Sequence, residues 1–192
     1  MKLALLASGN GSNVAAIMQA INDGTLEAEI VAIVCDQPDA YVITRAKLAQ
    51  LPIFVAPLKA YKTRKAWESA IADYLKEKGA EWVVLAGFMR IVGAPLLEAF
   101  PHRIVNIHPA LLPNFPGRDG IGDAYAAGVT ETGVTVHWVD EGIDSGPIIA
   151  QEKLTVDPTW TREELEEKIH HIEHQLYPKT LQRLGKEEEH FS

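Results

Sequence analysis

Asn106 and His108 stand two positions apart in the run 103–113, Arg-Ile-Val-Asn-Ile-His-Pro-Ala-Leu-Leu-Pro, where an apolar stretch enters a proline-stiffened loop. Side chains alternate along a strand, so the amide and the imidazole project from one face where a buried strand meets the surface. An uncharged donor beside a titratable group can hold a developing oxyanion and move a proton. The plain alternative is a capping asparagine and a surface histidine before a turn. This segment alone does not choose between them.

A second constellation, Ser8-Gly9-Asn10-Gly11-Ser12-Asn13, follows the first apolar run and opens a helix. Glycines let backbone approach a ligand, and the first N–H groups of a helix attract an anion. A dinucleotide fingerprint wants a third small residue at position 14, which is Val14. A phosphate monoester is therefore the better match, with a plain helix-capping turn as the alternative. Asp36, at the end of the second apolar run, stands where a ribose-binding acid would be.

The loop Asp140-Glu141-Gly142-Ile143-Asp144-Ser145-Gly146-Pro147 can turn sharply and present a carboxylate, although an ordinary turn has the same composition. In a doubly wound sheet the loops at the carboxyl ends of the strands share a crevice, so Asp144 can approach His108 and favour its imidazolium form. His170 and His174 have the i,i+4 spacing of metal ligands, but no acidic or cysteine partner completes a site. His170 and Glu173, at i,i+3, can reach a ligand over the sheet edge. The run Leu85 to Val92 passes from a strand end into helical character, and its Phe88, Met89, Ile91 and Val92 suit a core or the backbone wall of a flat ligand.

The elements that must position these groups follow from periodicity. Apolar, β-rich runs occur at 2–7, 29–35, 52–56, 81–86, 103–107, 133–139 and 147–156. Helical patterns fill 13–22, 40–50, 64–78 and 89–99, and a long helix at about 162–184 closes the chain. Strand–helix alternation implies parallel strands covered on both faces. The short polar link from Asp140 to Gly146 makes the last two strands an antiparallel edge. Thr161 and Glu164 form a capping box, and Leu165, Ile169, Ile172 and Leu176 mark the buried stripe of the last helix. The expected fold is α/β: a single Rossmann-like, doubly wound, mostly parallel sheet of about seven strands in one domain, 1–192.

The 192 residues are 47% hydrophobic and 23% charged, enough for one substantial core. The net charge of −8 argues against a nucleic-acid surface and leaves small anions open. A single cysteine, Cys35, excludes an internal disulfide framework and reads as a buried thiol in a reducing compartment. No run approaches the ~20 apolar residues that span a bilayer, so a cytoplasmic protein without membrane association is expected.

Taken in order, these segments resemble the glycinamide ribonucleotide formyltransferase (phosphoribosylglycinamide formyltransferase) family over nearly the whole chain. The resemblance rests on Ser8 to Asn13, Leu85-Ala86-Gly87-Phe88-Met89-Arg90, Asn106-Ile107-His108-Pro109, Thr135-Val136-His137, Asp144 with Gly146-Pro147, and Glu173-His174 with Tyr177-Pro178. It implies formyl transfer from 10-formyltetrahydrofolate to the amine of glycinamide ribonucleotide, without a metal or redox cofactor, in a monomer or homodimer. Asn106, His108 and Asp144 match the catalytic trio, with Asn106 and a protonated His108 stabilising the oxyanion. Gly11, Ser12 and Asn13 match the phosphate loop, and His170 and Glu173 match phosphoribosyl contacts. Arg64, Met89, Arg90, Ile91 and Val92, together with Asp140, Glu141, Gly142, Ile143, Asp144 and Asn106, match positions that line the folate site. The resemblance also implies a cis Leu112–Pro113 bond. Arg118-Asp119-Gly120-Ile121-Gly122 lacks a histidine that some members carry, so that loop's folate contacts are not transferred.

The rivals are methionyl-tRNA formyltransferase, which adds a C-terminal tRNA-binding domain, and formyltetrahydrofolate deformylase, which normally begins with a regulatory domain. A nicotinamide dehydrogenase and a non-catalytic nucleotide-binding module are more distant alternatives.

Overall fold

In the computed structural model, which describes residues 1–191, seven strands form one sheet: β1 (Lys2–Ala7), β2 (Glu29–Cys35), β3 (Ile53–Val55), β4 (Trp82–Leu85), β5 (Ile104–His108), β6 (Glu131–Trp138) and β7 (Ile148–Thr155). Among these residues the helices are α1 (Ser12–Asn22), α2 (Tyr41–Leu48), α3 (Arg64–Glu77), α4 (Ala94–Ala99), α5 (Gly120–Ala126) and α6 (Arg162–Phe191). The order across the sheet is β3-β2-β1-β4-β5-β6-β7. Strands β1 to β5 pair in parallel, β6 runs antiparallel to β5, and β7 antiparallel to β6. The expected mostly parallel sheet with an antiparallel C-terminal edge is what forms.

Side chains alternate across the sheet, and each face builds its own core. Leu3, Leu5, Val84 and Val105 pack with Ile17 of α1 and Ile169 of α6. Ala4, Leu6, Val83 and Ile104 pack with Trp67 and Ile71 of α3 and Leu96 of α4. With both faces covered, the central strands read as continuous apolar runs. Cys35 belongs to the first core, and burial pushes its thiol pKa up.

Helix α6 follows the expected start. The Glu164 N–H donates to Thr161 Oγ1 at 3.1 Å, and the Thr161 hydroxyl lies 3.4 Å from the Glu164 carboxylate. Its buried line differs from the expected stripe. Leu165 and Ile169 are buried, but Ile172 and Leu176 sit on the flank, because the line continues through Glu173, Tyr177 and Leu181. Steps of four follow a ridge that winds slowly around a helix, and a glutamate on it hides the pattern from an apolar count. The Tyr177 hydroxyl reaches the sheet itself, donating to Leu85 O at 2.7 Å and lying 3.2 Å from Val105 O.

Two segments depart from expectation. Residues 89–93 are irregular rather than helical, and α4 begins only at Ala94. Its cap comes from α3: the Glu68 carboxylate accepts from Gly93 N–H at 2.9 Å and from Leu96 N–H at 3.0 Å. Helix α5 was not expected. Asp119 caps it by accepting from Gly122 N–H at 3.0 Å, and also binds Arg162 at 2.9 Å. No described helix is long and apolar enough to cross a membrane.

Candidate active site

The strand order reverses between β1 and β4, and ligands of open α/β sheets bind at such a switch point, beyond the carboxyl ends of the strands. There a cleft of about 530 Å³ runs from the N-terminus of α1, past the end of β5, to the loop after β4. Every residue that the resemblance matches to the site lines it except Glu141, which is solvent-exposed and off the wall.

At one end Gly11 precedes α1 with φ +79°, and no side chain caps the helix. Its first-turn N–H groups are thus open to an anion. A Cβ at Gly11 would lie 2.6 Å from Val42 Cγ2, so α2 packs against the loop closely enough to exclude any larger residue. Arg45 of α2 fastens the preceding turn, donating to Asn10 O at 2.8 Å and Asn10 Oδ1 at 2.7 Å. Asn13 Nδ2 donates to Glu173 Oε2 at 3.2 Å, linking this end to α6. His170 Nδ1 lies 2.6 Å from the other oxygen of Glu173, and its Nε2 lies 3.4 Å from Glu166. Hydrogen bonding to Glu173 raises the His170 pKa above its ordinary value, against burial. His170 is thus bound to carboxylates, and His174 stacks on its ring. Among the described residues no group of His, Cys, Asp or Glu is placed to hold a metal.

In the middle, Asn106 and His108 leave β5 on one face, as alternation requires. Opposite them on β6 are His137, paired with Asn106, and Thr135, paired with His108. Asn106 Nδ2 lies 3.2 Å from His137 Nε2, and His137 Nδ1 lies 2.9 Å from Trp138 O. A carbonyl can only accept, so Nδ1 carries the proton and Nε2 accepts from Asn106. One Asn106 N–H remains for a ligand. Burial lowers the His137 pKa below its ordinary value and favours this neutral form. A register shift in the β6–β7 pairing falls between Val136 and His137, a device that re-aims side chains beside sites.

His108 is buried, with Nε2 2.7 Å from Phe115 O. That nitrogen therefore donates, and Nδ1 is the end facing Asp144, whose Oδ2 stands 3.6 Å away. Asp144 Oδ1 lies 3.7 Å from His137 Nε2, so the carboxylate sits between both histidines. Asp144 adopts φ +51°, a left-handed conformation that Asp tolerates. Its Oδ2 accepts from Gly117 N–H at 2.8 Å, which draws the proline loop over the site. The Leu112–Pro113 bond in that loop is cis. Thr135 anchors it, its hydroxyl donating to Ala110 O at 2.7 Å and accepting from Leu112 N–H at 3.1 Å.

At the far end the loop between β4 and α4 presents Met89 and Ile91, both 52% exposed, across from Ile143 at 59%. Exposed apolar side chains facing one another across a cleft suit a flat ring. Arg64 donates to Ile91 O and steadies this wall.

His137 and Thr135 belong to the resemblance, but their spacing along the chain assigns them no role. The signal that finds them is pairing: once β6 is set antiparallel to β5, they fall opposite Asn106 and His108.

The fold and cleft define an α/β enzyme of the formyl transferase family: a family profile described as "Formyl transferase" matches residues 1–181, and the chain belongs to that family. Within it, the chain is 45% identical over 183 residues to phosphoribosylglycinamide formyltransferase of Bacillus subtilis, covering 95% of this chain and 94% of that protein. The Haemophilus influenzae protein of the same name is 38% identical, covering 92% and 84%. Among solved structures, phosphoribosylglycinamide formyltransferase from Bacillus halodurans superposes with a TM-score of 0.93 at 47% identity, covering 96% of this chain and 95% of that one. Glycinamide ribonucleotide transformylase 1 from Geobacillus kaustophilus gives 0.93 at 51% identity, covering 95% and 97%.

Proposed function

We infer that this chain transfers the formyl group of 10-formyltetrahydrofolate to the amine of glycinamide ribonucleotide, giving formylglycinamide ribonucleotide and tetrahydrofolate in purine biosynthesis. The observation that carries the reading is the single cleft that joins an open helix N-terminus, the Asn106–His108–Asp144 cluster and an apolar-walled loop. It belongs to a chain whose relatives across nearly their whole length are phosphoribosylglycinamide formyltransferases. The seven described strands form one sheet with this cleft at its carboxyl edge, so we read 1–192 as one catalytic domain.

In this reading the N–H groups of Gly11, Ser12 and Asn13 hold the substrate phosphate, and His170 and Glu173 flank the ribose. The wall of Arg64, Met89, Arg90, Ile91 and Val92, with the loop from Asp140 to Asp144, receives the folate. The cleft volume is within the ~300–1,000 Å³ of small-molecule sites. The free Asn106 N–H donates to the oxyanion that develops on the formyl oxygen. His108 Nδ1 takes the proton released by the attacking amine, since its Nε2 is committed to Phe115 O, and gives it to the folate nitrogen as the bond from that nitrogen to the formyl carbon breaks. Asp144 stabilises the resulting imidazolium by its charge.

The test is an assay of tetrahydrofolate release with and without glycinamide ribonucleotide. Release only when the amine substrate is present supports the reading. Release without it identifies a hydrolase, and no release under either condition rejects folate chemistry. Asn106→Ala and His108→Ala should each lower kcat by about 10²–10³-fold, the size of a lost oxyanion partner.

A further inference from the structure

Asp36 lies just past β2, on the opposite side of β1 from the catalytic strand, and lines no part of the cleft. Its side chain is nevertheless wholly buried. A buried carboxylate is costly unless paired and hydrogen-bonded, so its partners show what it holds. Oδ2 accepts from Arg90 Nε at 2.8 Å and from Gln37 Nε2 at 3.2 Å, and Oδ1 accepts from the Ser8 hydroxyl at 2.5 Å. Ser8 Oγ in turn accepts from the Met89 N–H at 2.8 Å. One carboxylate therefore grips two consecutive residues of the loop after β4, Arg90 directly and Met89 through a hydroxyl.

That loop needs such a grip. Its ends are tied, Gly87 O accepting from Ser8 N–H at 3.0 Å and Gly93 N–H donating to Glu68 at 2.9 Å. Between them Met89 and Ile91 point largely into solvent, so little apolar packing fixes their backbone. In a dinucleotide-binding fold the acid at this strand end takes ribose hydroxyls. Here it is turned inward and fully occupied, so Asp36 has that position without the ribose role, in keeping with the preference for a phosphate monoester over a dinucleotide.

We propose that Asp36 is a positioning residue for the formyl donor: acting through Arg90 and Ser8, it sets the backbone of Met89 to Val92 against which the folate lies. The proposal rests on the folate reading of this cleft. It predicts a selective effect, because the phosphate loop and the Asn106–His108 cluster are held by other contacts.

The test is steady-state kinetics of Asp36→Asn, Ser8→Ala and the double variant, with melting temperatures measured alongside. Asp36→Asn removes the charge but keeps the shape. It should raise KM for 10-formyltetrahydrofolate about tenfold, the factor of one charge-assisted hydrogen bond. The kcat at saturation and KM for glycinamide ribonucleotide should stay within twofold. Ser8→Ala breaks only the Met89 arm and should raise the same constant by a smaller factor. The double variant should fall short of the product of the two effects, since both act on one loop. An unchanged folate KM in Asp36→Asn overturns the proposal. So does a parallel shift of kcat and both KM values with a lower melting temperature, which is the mark of a merely structural role. If Asp36→Asn does not fold, Ser8→Ala decides by the same selective split. Wild-type enzyme that releases no tetrahydrofolate overturns the functional reading instead, before any variant is compared.

Discussion

The Asn106 side-chain nitrogen lies 3.2 Å from His137 Nε2, and that contact orients the amide because His137 can only accept there. Its buried ring has a lowered pKa, desolvation being the main cause. A depressed value means the folded state resists protonation. The stabilising contribution of neutral His137 is present above about pH 6.5 and is lost as pH falls through the lowered value. Protonation there would set an N–H against the Asn106 N–H. His137→Gln, which retains an acceptor, should keep more activity than His137→Ala, for which kcat should fall at least about tenfold with little change in KM. A pH–rate profile should show turnover falling on the acid side, at a pH below the ordinary imidazole range. Equal kcat values for the two variants would rule out the orienting role.

Asp144→Asn should remain folded, because an amide oxygen can still accept from Gly117 N–H. It removes the charge 3.6 Å from His108. Formyl transfer should fall, because the imidazolium formed when His108 takes the proton of the amine loses its counter-charge. Undiminished activity across pH 6 to 9, measured as kcat/KM, would remove Asp144 from the mechanism.

Gly11→Ala combines a left-handed backbone with a Cβ 2.6 Å from Val42 Cγ2. The phosphate loop must shift to accommodate it. KM for glycinamide ribonucleotide should rise about tenfold or more, while KM for 10-formyltetrahydrofolate stays near wild type. Gly9, whose added Cβ would meet nothing within 4 Å, is the control: Gly9→Ala should be mild.

His170 behaves oppositely to His137. Hydrogen bonding to Glu173 raises its folded pKa, so its extra stability is fully present below about pH 6.5 and lost as pH rises through the raised value. His170→Gln should narrow the gap with wild type on going from pH 6 to pH 9. Urea midpoints across that range measure it, and a gap that widens with pH would contradict the pairing.

Alternation of apolar runs with helical segments was enough to lay out the sheet, and a strand end bearing Asn106 and His108 marked the site. What escaped the sequence depends on partners distant along the chain. Residues 89–93 looked helical because the helix cap is Glu68, 25 positions back. The position of Asp36 at a strand end did not reveal what it holds, because its partner Arg90 is 54 positions on. Glu173 hid the buried line of α6, since a charged residue on a core stripe breaks an apolar count while being stabilised by Asn13 and His170. The role of His137 needed the β5–β6 register, which neither strand carries alone.

Tyr177 ties α6 to the carbonyls of β4 and β5, and α6 follows every strand in chain order. A polypeptide leaving the ribosome therefore carries the entire sheet before the helix that covers Leu5, Val84 and Val105 has been made. Until Leu165, Ile169 and Tyr177 emerge, the part of that face that the earlier helices leave uncovered is an open apolar surface, the kind that draws nascent chains into aggregates. Translation stalled ahead of Arg162 would also leave Asn13 without Glu173. Completion of the last helix thus couples two events, the burial of the sheet and the assembly of the substrate end of the cleft, so that a partial chain has neither.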